Sequence, residues 1–190
     1  MISCNQKNKQ EETTNTSMME NDSTMEMENS TIKMENDSEN SATAQSSNTS
    51  IDEVVANYLK LKNSLTNDDS NGAADAGKAL VETLAKIDMK KMSGNKMKSY
   101  MDIADETKEN AEHIGDNAGK LDHQREHFVL LSKDINDLIT TFGTKQKLYQ
   151  DFCPMADDNK GAIWISETKE IKNPYFGSQM ATCGSIKKEY

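Results

Sequence analysis

Between Ile51 and Phe142 the apolar residues recur in steps of three and four, and that spacing confines most of the chain to amphipathic helices. Ile51, Val54, Tyr58, Leu61 and Leu65 make one face, and Ser50 with Glu53 reads as a capping box ahead of it, so a helix is predicted near 51–66. Asn67-Asp68-Asp69-Ser70-Asn71-Gly72 has the chemistry of a turn. Ala73, Ala76, Leu80, Leu84 and Ile87 form a second, narrower stripe, and Ser93-Gly94 closes the connection after Met92. A third helix is predicted from Lys96 to Ile114, with Met97, Met101, Ala104, Ala111 and Ile114 inward. Leu121, Phe128, Leu131, Ile135, Leu138 and Phe142 line a fourth from Leu121 to Phe142, which Gly143 ends. Four helices joined by short polar turns bury their stripes most simply as an antiparallel four-helix bundle, and methionines 89, 92, 97 and 101 read as its core filler. The expected fold class is therefore mainly α.

After Gly143 this periodicity stops. Leu148-Tyr149-Gln150-Asp151-Phe152 and Ala162-Ile163-Trp164-Ile165 read as short strands, Asn173-Pro174-Tyr175 and Gly177 as turns, giving a short irregular or β-rich C-terminal appendage. Asp157-Asp158-Asn159 before Gly161 lacks the ligand spacing of a calcium loop and reads as another turn. The span Tyr149–Gly184 gathers both prolines, the only tryptophan and two of the three cysteines, so the chemistry is expected there. Cys153-Pro154-Met155 and Met180-Ala181-Thr182-Cys183 each pair a thiol with a thioether, the soft donors that select Cu(I) and Ag(I). The turns between them let the chain double back, so Cys153, Met155, Met180 and Cys183 are the candidate metal ligands. The same two cysteines have a competing fate, a disulfide closing a loop of some 30 residues. Trp164 stands either as a cover over such a site or as an anchor against the helices.

The segments Cys153-Pro154-Met155-Ala156, Gly161-Ala162-Ile163-Trp164-Ile165-Ser166 and Ile171-Lys172-Asn173-Pro174-Tyr175-Phe176-Gly177, then Met180 and Cys183-Gly184, carry a family resemblance. With Gln124-Arg125-Glu126-His127-Phe128 and Leu131-Ser132 upstream, the chain from about 51 to 184 resembles an uncharacterised bacterial domain. That domain occurs alone or fused to periplasmic adaptor subunits of heavy-metal efflux pumps. The resemblance implies metal handling, with efflux-pump components as partners.

Residues 1–50 hold no aromatic residue and little beyond Ser, Thr, Asn, Glu and Met, too little apolar surface to offset the entropy of ordering. They are expected to be a disordered tether, separate from a domain over 51–190. Met1-Ile2-Ser3-Cys4 resembles the end of a bacterial lipoprotein signal, with Cys4 as the lipidated residue, although the apolar stretch of such a signal is not in the chain. A periplasmic or outer-membrane lipoprotein is the expected location, with membrane contact only through the lipid. The repeat Met19-Glu20-Asn21-Asp22-Ser23, Met27-Glu28-Asn29-Ser30, Met34-Glu35-Asn36-Asp37-Ser38 reads either as weak Cu(I) capture by thioethers or as drift in a low-complexity tether. A net charge of −10 and a single arginine argue against nucleic acid as a partner.

His123-Gln124-Arg125-Glu126-His127 spells the H-x-x-E-H of inverzincin peptidases, but this chain is too small for their substrate chamber. Two histidines four apart share a helix face, and His113 on the preceding helix is the natural third ligand if they bind a metal; the bland alternative is exposed histidines beside Phe128. No nucleophile elbow or phosphate-cradling glycine loop occurs, and the chain is not expected to be an enzyme. Two function classes stand. One is a Cu(I)/Ag(I)-binding module of heavy-metal efflux or homeostasis. The other is a structural or interaction domain, held by a Cys153–Cys183 disulfide, that docks onto a partner protein.

Overall fold

In a computed structural model, residues 48–190 are described. Residues 1–47 of the expected tether, with Cys4 and the methionine repeat, lie outside them, while Asn48–Ser50 are helical. Four long helices come first: α1 (Asn48–Thr66), α2 (Ser70–Ala85), α3 (Gly94–Asp116) and α4 (Leu121–Phe142). A three-stranded antiparallel sheet follows, β1 (Tyr149–Cys153), β2 (Ala162–Ser166) and β3 (Ser185–Glu189), in the order β2-β1-β3. The protein is mainly helical with a small C-terminal sheet. Each helix packs on its successor, and α4 returns to α1 and to β2.

The stripes read from the sequence bury as expected on α1, α2 and α4: Ile51, Val54, Tyr58, Leu61, Leu65, Leu80, Phe128, Leu131, Ile135 and Leu138 are all fully buried. Asp69 caps α2 by accepting the N–H of Gly72, so the turn shrinks to Asn67–Asp69 and Ser70–Gly72 become helix. At the other end the helical ladder continues through Ser50 to Asn48, so Ser50 lies within α1 rather than capping it. The alanine stripe of α2 lets it approach α3 closely. A β-carbon on Gly77 would sit 2.8 Å from the carbonyl oxygen of Ala111, so only glycine fits there. On α3 the inward face is set by Tyr100, Thr107, Asn110, Ala111 and Ile114. Met101, expected inward, is 49% exposed, as is Met89 at 40%; Met92 and Met97 do pack on the core. Tyr100 takes the inward position next to Met101, its ring edge-on to Phe142.

The C-terminal segment is built into the core rather than appended to it. Tyr58 of α1 stacks on Phe128 at 5.2 Å, Phe128 meets Tyr175, and Tyr175 meets Trp164 edge-on at 6.0 Å. The Tyr58 hydroxyl accepts the N–H of Ile165 and shares a hydrogen bond with Ser132, tying α1, α4 and β2 at one atom. The only arginine, Arg125, donates to the carbonyls of Pro174 and Leu65 and to Asp68. It thereby fastens α4 to the end of α1 and to the Asn173-Pro174 turn. Strand β3 carries no sequence signal of its own, because Ser185-Ile186-Lys187-Lys188-Glu189 is exposed throughout and has no buried alternation. The Asp157-Asp158-Asn159 turn is left-handed, with φ of 51°, 53° and 65°, inside a single helical turn, Ala156–Asn159.

Two carboxylates are buried without full pairing. Asp151 and Trp164 face each other across β1 and β2, and neither the Asp151 oxygens nor the Trp164 indole N–H has a partner among the described residues. Burial pushes the carboxyls of Asp151 and Asp134 up from 3.8 to about 6. Both therefore bind more protons folded than unfolded between those values, and their contribution to stability is lost as pH rises through 6. Asp68 behaves oppositely: hydrogen bonds from Ser178 and Arg125 hold it near 2, so its contribution is lost as pH falls through that value. Urea midpoints are expected to be higher at about pH 5 than at about pH 7.5, and Asp151→Asn should flatten the difference.

Candidate functional site

The two thiols meet. Strand β3 pairs with β1 so that Phe152 lies opposite Ser185, which places Cys153 beside the residues just before β3. Cys153 is fully buried, Cys183 partly so, both are free, and their sulfurs stand 2.7 Å apart. The loop that returns Cys183 is organised by Asn173, whose side-chain amide donates to the Cys183 carbonyl. Its side-chain oxygen accepts the N–H groups of Tyr175 and Phe176, and its backbone N–H bonds Ala181. Sequence reasoning read Asn173-Pro174 only as a turn; the Asn-Pro pair was the available signal, since Asn side chains cap their own backbone two residues on. Gly184 is needed for the same closure, because a β-carbon there would lie 2.7 Å from the Trp164 ring, and its φ of +150° disfavours other residues.

Trp164 is fully buried beside this loop and anchors the segment against the core. The hydrogen bond with Cys153, then burial, pushes the Cys183 thiol up to about 11. The Cys183 thiol is therefore protonated near neutrality and slow as a nucleophile. Of the two methionines, Met180 is half-buried, its carbonyl accepting the N–H of Cys183 in a local turn. Met155 is 47% exposed and lines a cleft of about 570 Å³ with Arg125, Leu130, Asp157 and Phe176.

A second cluster lies at the α3–α4 end. His113, from the last turns of α3, meets His123 and His127 of α4, with one ring nitrogen from each within 4.8 Å of the others. His113 and His127 stack at 4.2 Å and 2°, while His123 stands edge-on to His127 at 4.7 Å. The junction is set from below by Gln124, which is fully buried and donates to the carbonyls of Ile114 and Ser70. Burial, then the neighbouring His113 and His123, lowers the His127 pKa below its usual value. Within the H-x-x-E-H spelling, Glu126 Oε2 lies 3.3 Å from Nδ1 of His123. No helix among the described residues is long and apolar enough to cross a membrane.

Residues 54–147 match the model of a family described as a protein of unknown function, DUF3347. The matched stretch runs from within α1 through α4 and stops before β1, Cys153 and Cys183. No curated protein and no solved structure matches the chain.

Proposed function

We propose that the protein is a soft-metal module that binds Cu(I) or Ag(I) at the cell envelope and serves heavy-metal efflux or homeostasis. The observation that carries this reading is the meeting of the Cys153 and Cys183 sulfurs at 2.7 Å in a covered position. With metal–thiolate bonds of about 2.3 Å, two thiolates flanking a cation stand at most about 4.6 Å apart, within reach of a rotation at the less buried Cys183. Met155 and Met180 would supplement the thiolates as neutral donors. In this reading the helices form an antiparallel four-helix bundle that carries the sulfur-bearing segment, periplasmic or lipid-anchored through Cys4. The partners would be components of an efflux pump, as in the resembling adaptor fusions.

Cu(I) titration of the reduced full chain tests it. The double variant Cys153→Ser, Cys183→Ser should bind far more weakly, Met155→Leu with Met180→Leu should weaken binding less, and affinity should fall as protons compete at lower pH. Equal Cu(I) affinity with and without the cysteines would sink the reading. The same closeness favours a second one: 2.7 Å is nearer the 2.05 Å or so of a disulfide than a metal bridge. An oxidised Cys153–Cys183 bond that persists when Cu(I) is supplied would make this a structural or docking module, the bridge stabilising it by about 3 to 4 kcal/mol.

A further inference from the structure

The chain has three histidines in 190 residues, and all three converge. We propose that His113, His123 and His127 bind a borderline divalent transition cation, Zn2+ or Cu2+, through three imidazole nitrogens with a fourth position left to solvent. This site is separate in chemistry from the thiol pair and stands whether or not that pair binds Cu(I).

Hydrogen bonding fixes which nitrogens are available. The Asn110 amide nitrogen donates to the Glu106 carbonyl, so its side-chain oxygen faces His127 as an acceptor at 3.1 Å from Nδ1. Nδ1 of His127 must then carry the proton, leaving the Nε2 lone pair free. His123 repeats the arrangement with a carboxylate: its Nδ1 lies 3.3 Å from Glu126 Oε2, which only accepts. Metal-bound histidines are oriented in this way, their second nitrogen donating to a carbonyl or carboxylate. Two of the three rings are therefore already held in the ligating tautomer before a cation arrives.

Distance and charge agree. Zn–N bonds of about 2.0 to 2.1 Å in a tetrahedral site put ligand nitrogens about 3.4 Å apart; one nitrogen of each ring already lies within 4.8 Å of the others, and the stacked His113 and His127 rings turn out of parallel to aim at one cation. Glu126 and Glu109 attract positive charge at His127 and offset part of the effect of burial and of the neighbouring rings. The backbone beneath is braced: Ser70 Oγ accepts the N–H of Gly119 at 2.6 Å and donates to Gln124, locking the α3–α4 connection. His113 is exposed and the other two half-exposed, which leaves a face for a solvent molecule or a transferred ligand. Three imidazoles with one open position suit Zn2+ or Cu2+ rather than hard cations, which prefer oxygen, or Cu(I), which prefers sulfur.

The test uses ZnCl2 and CuCl2 on the full chain, read by titration calorimetry and by nuclear magnetic resonance of the histidine rings. One equivalent of Zn2+ should move all three ring signals together. The double variant His123→Ala, His127→Ala should lose one equivalent of binding while keeping the metal-free melting temperature, since neither ring is in the core. Asn110 is a positioning residue: Asn110→Ala should weaken binding about 10- to 100-fold, and Asn110→Asp, which keeps the acceptor oxygen, should restore most of it. Ring signals unmoved by both metals, or a histidine variant that binds them as tightly as the unaltered chain, would overturn the proposal. So would histidine shifts that need many equivalents of metal.

Discussion

Trp164→Ala is expected to destabilise the protein by about 3 to 5 kcal/mol, the range for deleting a fully buried large aromatic. The indole fills the junction between the sheet and the helices: it meets Tyr175 edge-on at 6.0 Å and leaves no room for a β-carbon on Gly184. Removing it opens a cavity under both β2 and the Cys183 loop, and neither can collapse into the space without breaking strand pairing. Its ring N–H has no partner among the described residues, so the loss is packing rather than hydrogen bonding. Trp164→Phe, which keeps most of the apolar volume and drops the orphaned donor, should therefore recover much of the stability. Urea unfolding of the three proteins checks this. Trp164→Phe no better than Trp164→Ala would show that shape complementarity, not burial, sets the effect.

Lys62→Met should cost roughly 3 kcal/mol, although it keeps the side-chain volume. Lys62 is 1% exposed and its ammonium donates to Glu167 at 2.8 Å, with Asn63 holding the other carboxylate oxygen at 2.9 Å. Breaking a buried pair by removing one partner leaves the other charge uncompensated, typically at 3 to 5 kcal/mol; Glu167, a third exposed, brings the figure to the lower end. The same ammonium also restrains the Asp151 carboxyl, so its loss should raise that group further. The double variant Lys62→Met, Glu167→Gln removes the stranded charge and should regain part of the stability. A double-mutant cycle by urea unfolding measures the coupling, and a cycle with no coupling would mean the pair is solvated in solution.

The helices were legible because their burial is one-sided and local. Leu121 to Phe142 was read to the residue, since eight apolar or small positions face one core and Gly143 ends the helix with φ of +80°. Errors came where a neighbour sets the face. On α3, Tyr100 displaced Met101 from the core, a choice made by Phe142 across the interface and invisible in the α3 sequence. Strand β3 was missed because its pairing to β1 is dictated by the Asn173 loop, while its own side chains are all exposed. The meeting of Cys153 with Cys183 was readable from the turns between them, as was that of His113 with the two α4 histidines. The roles of Asn110 and Asn173 were not, because an amide's value lies in partners that only the fold supplies.

The tie between α1 and β2 has a consequence in time. Tyr58 and Lys62 leave the ribosome early, yet the Ile165 N–H and the Glu167 carboxylate that complete them lie 107 and 105 residues later. At about 5 to 20 residues per second, the stretch from Phe142 to Glu167 takes roughly 1 to 5 s, during which the four helices exist without their last partners. Through that interval Phe128, the Tyr58 hydroxyl and a lysine ammonium form an open, sticky face. A nascent chain stalled after Phe142 would present that face to chaperones and proteases, whereas one finished past Glu167 would hide it. Release from quality control is thereby coupled to arrival of the segment that bears both thiols.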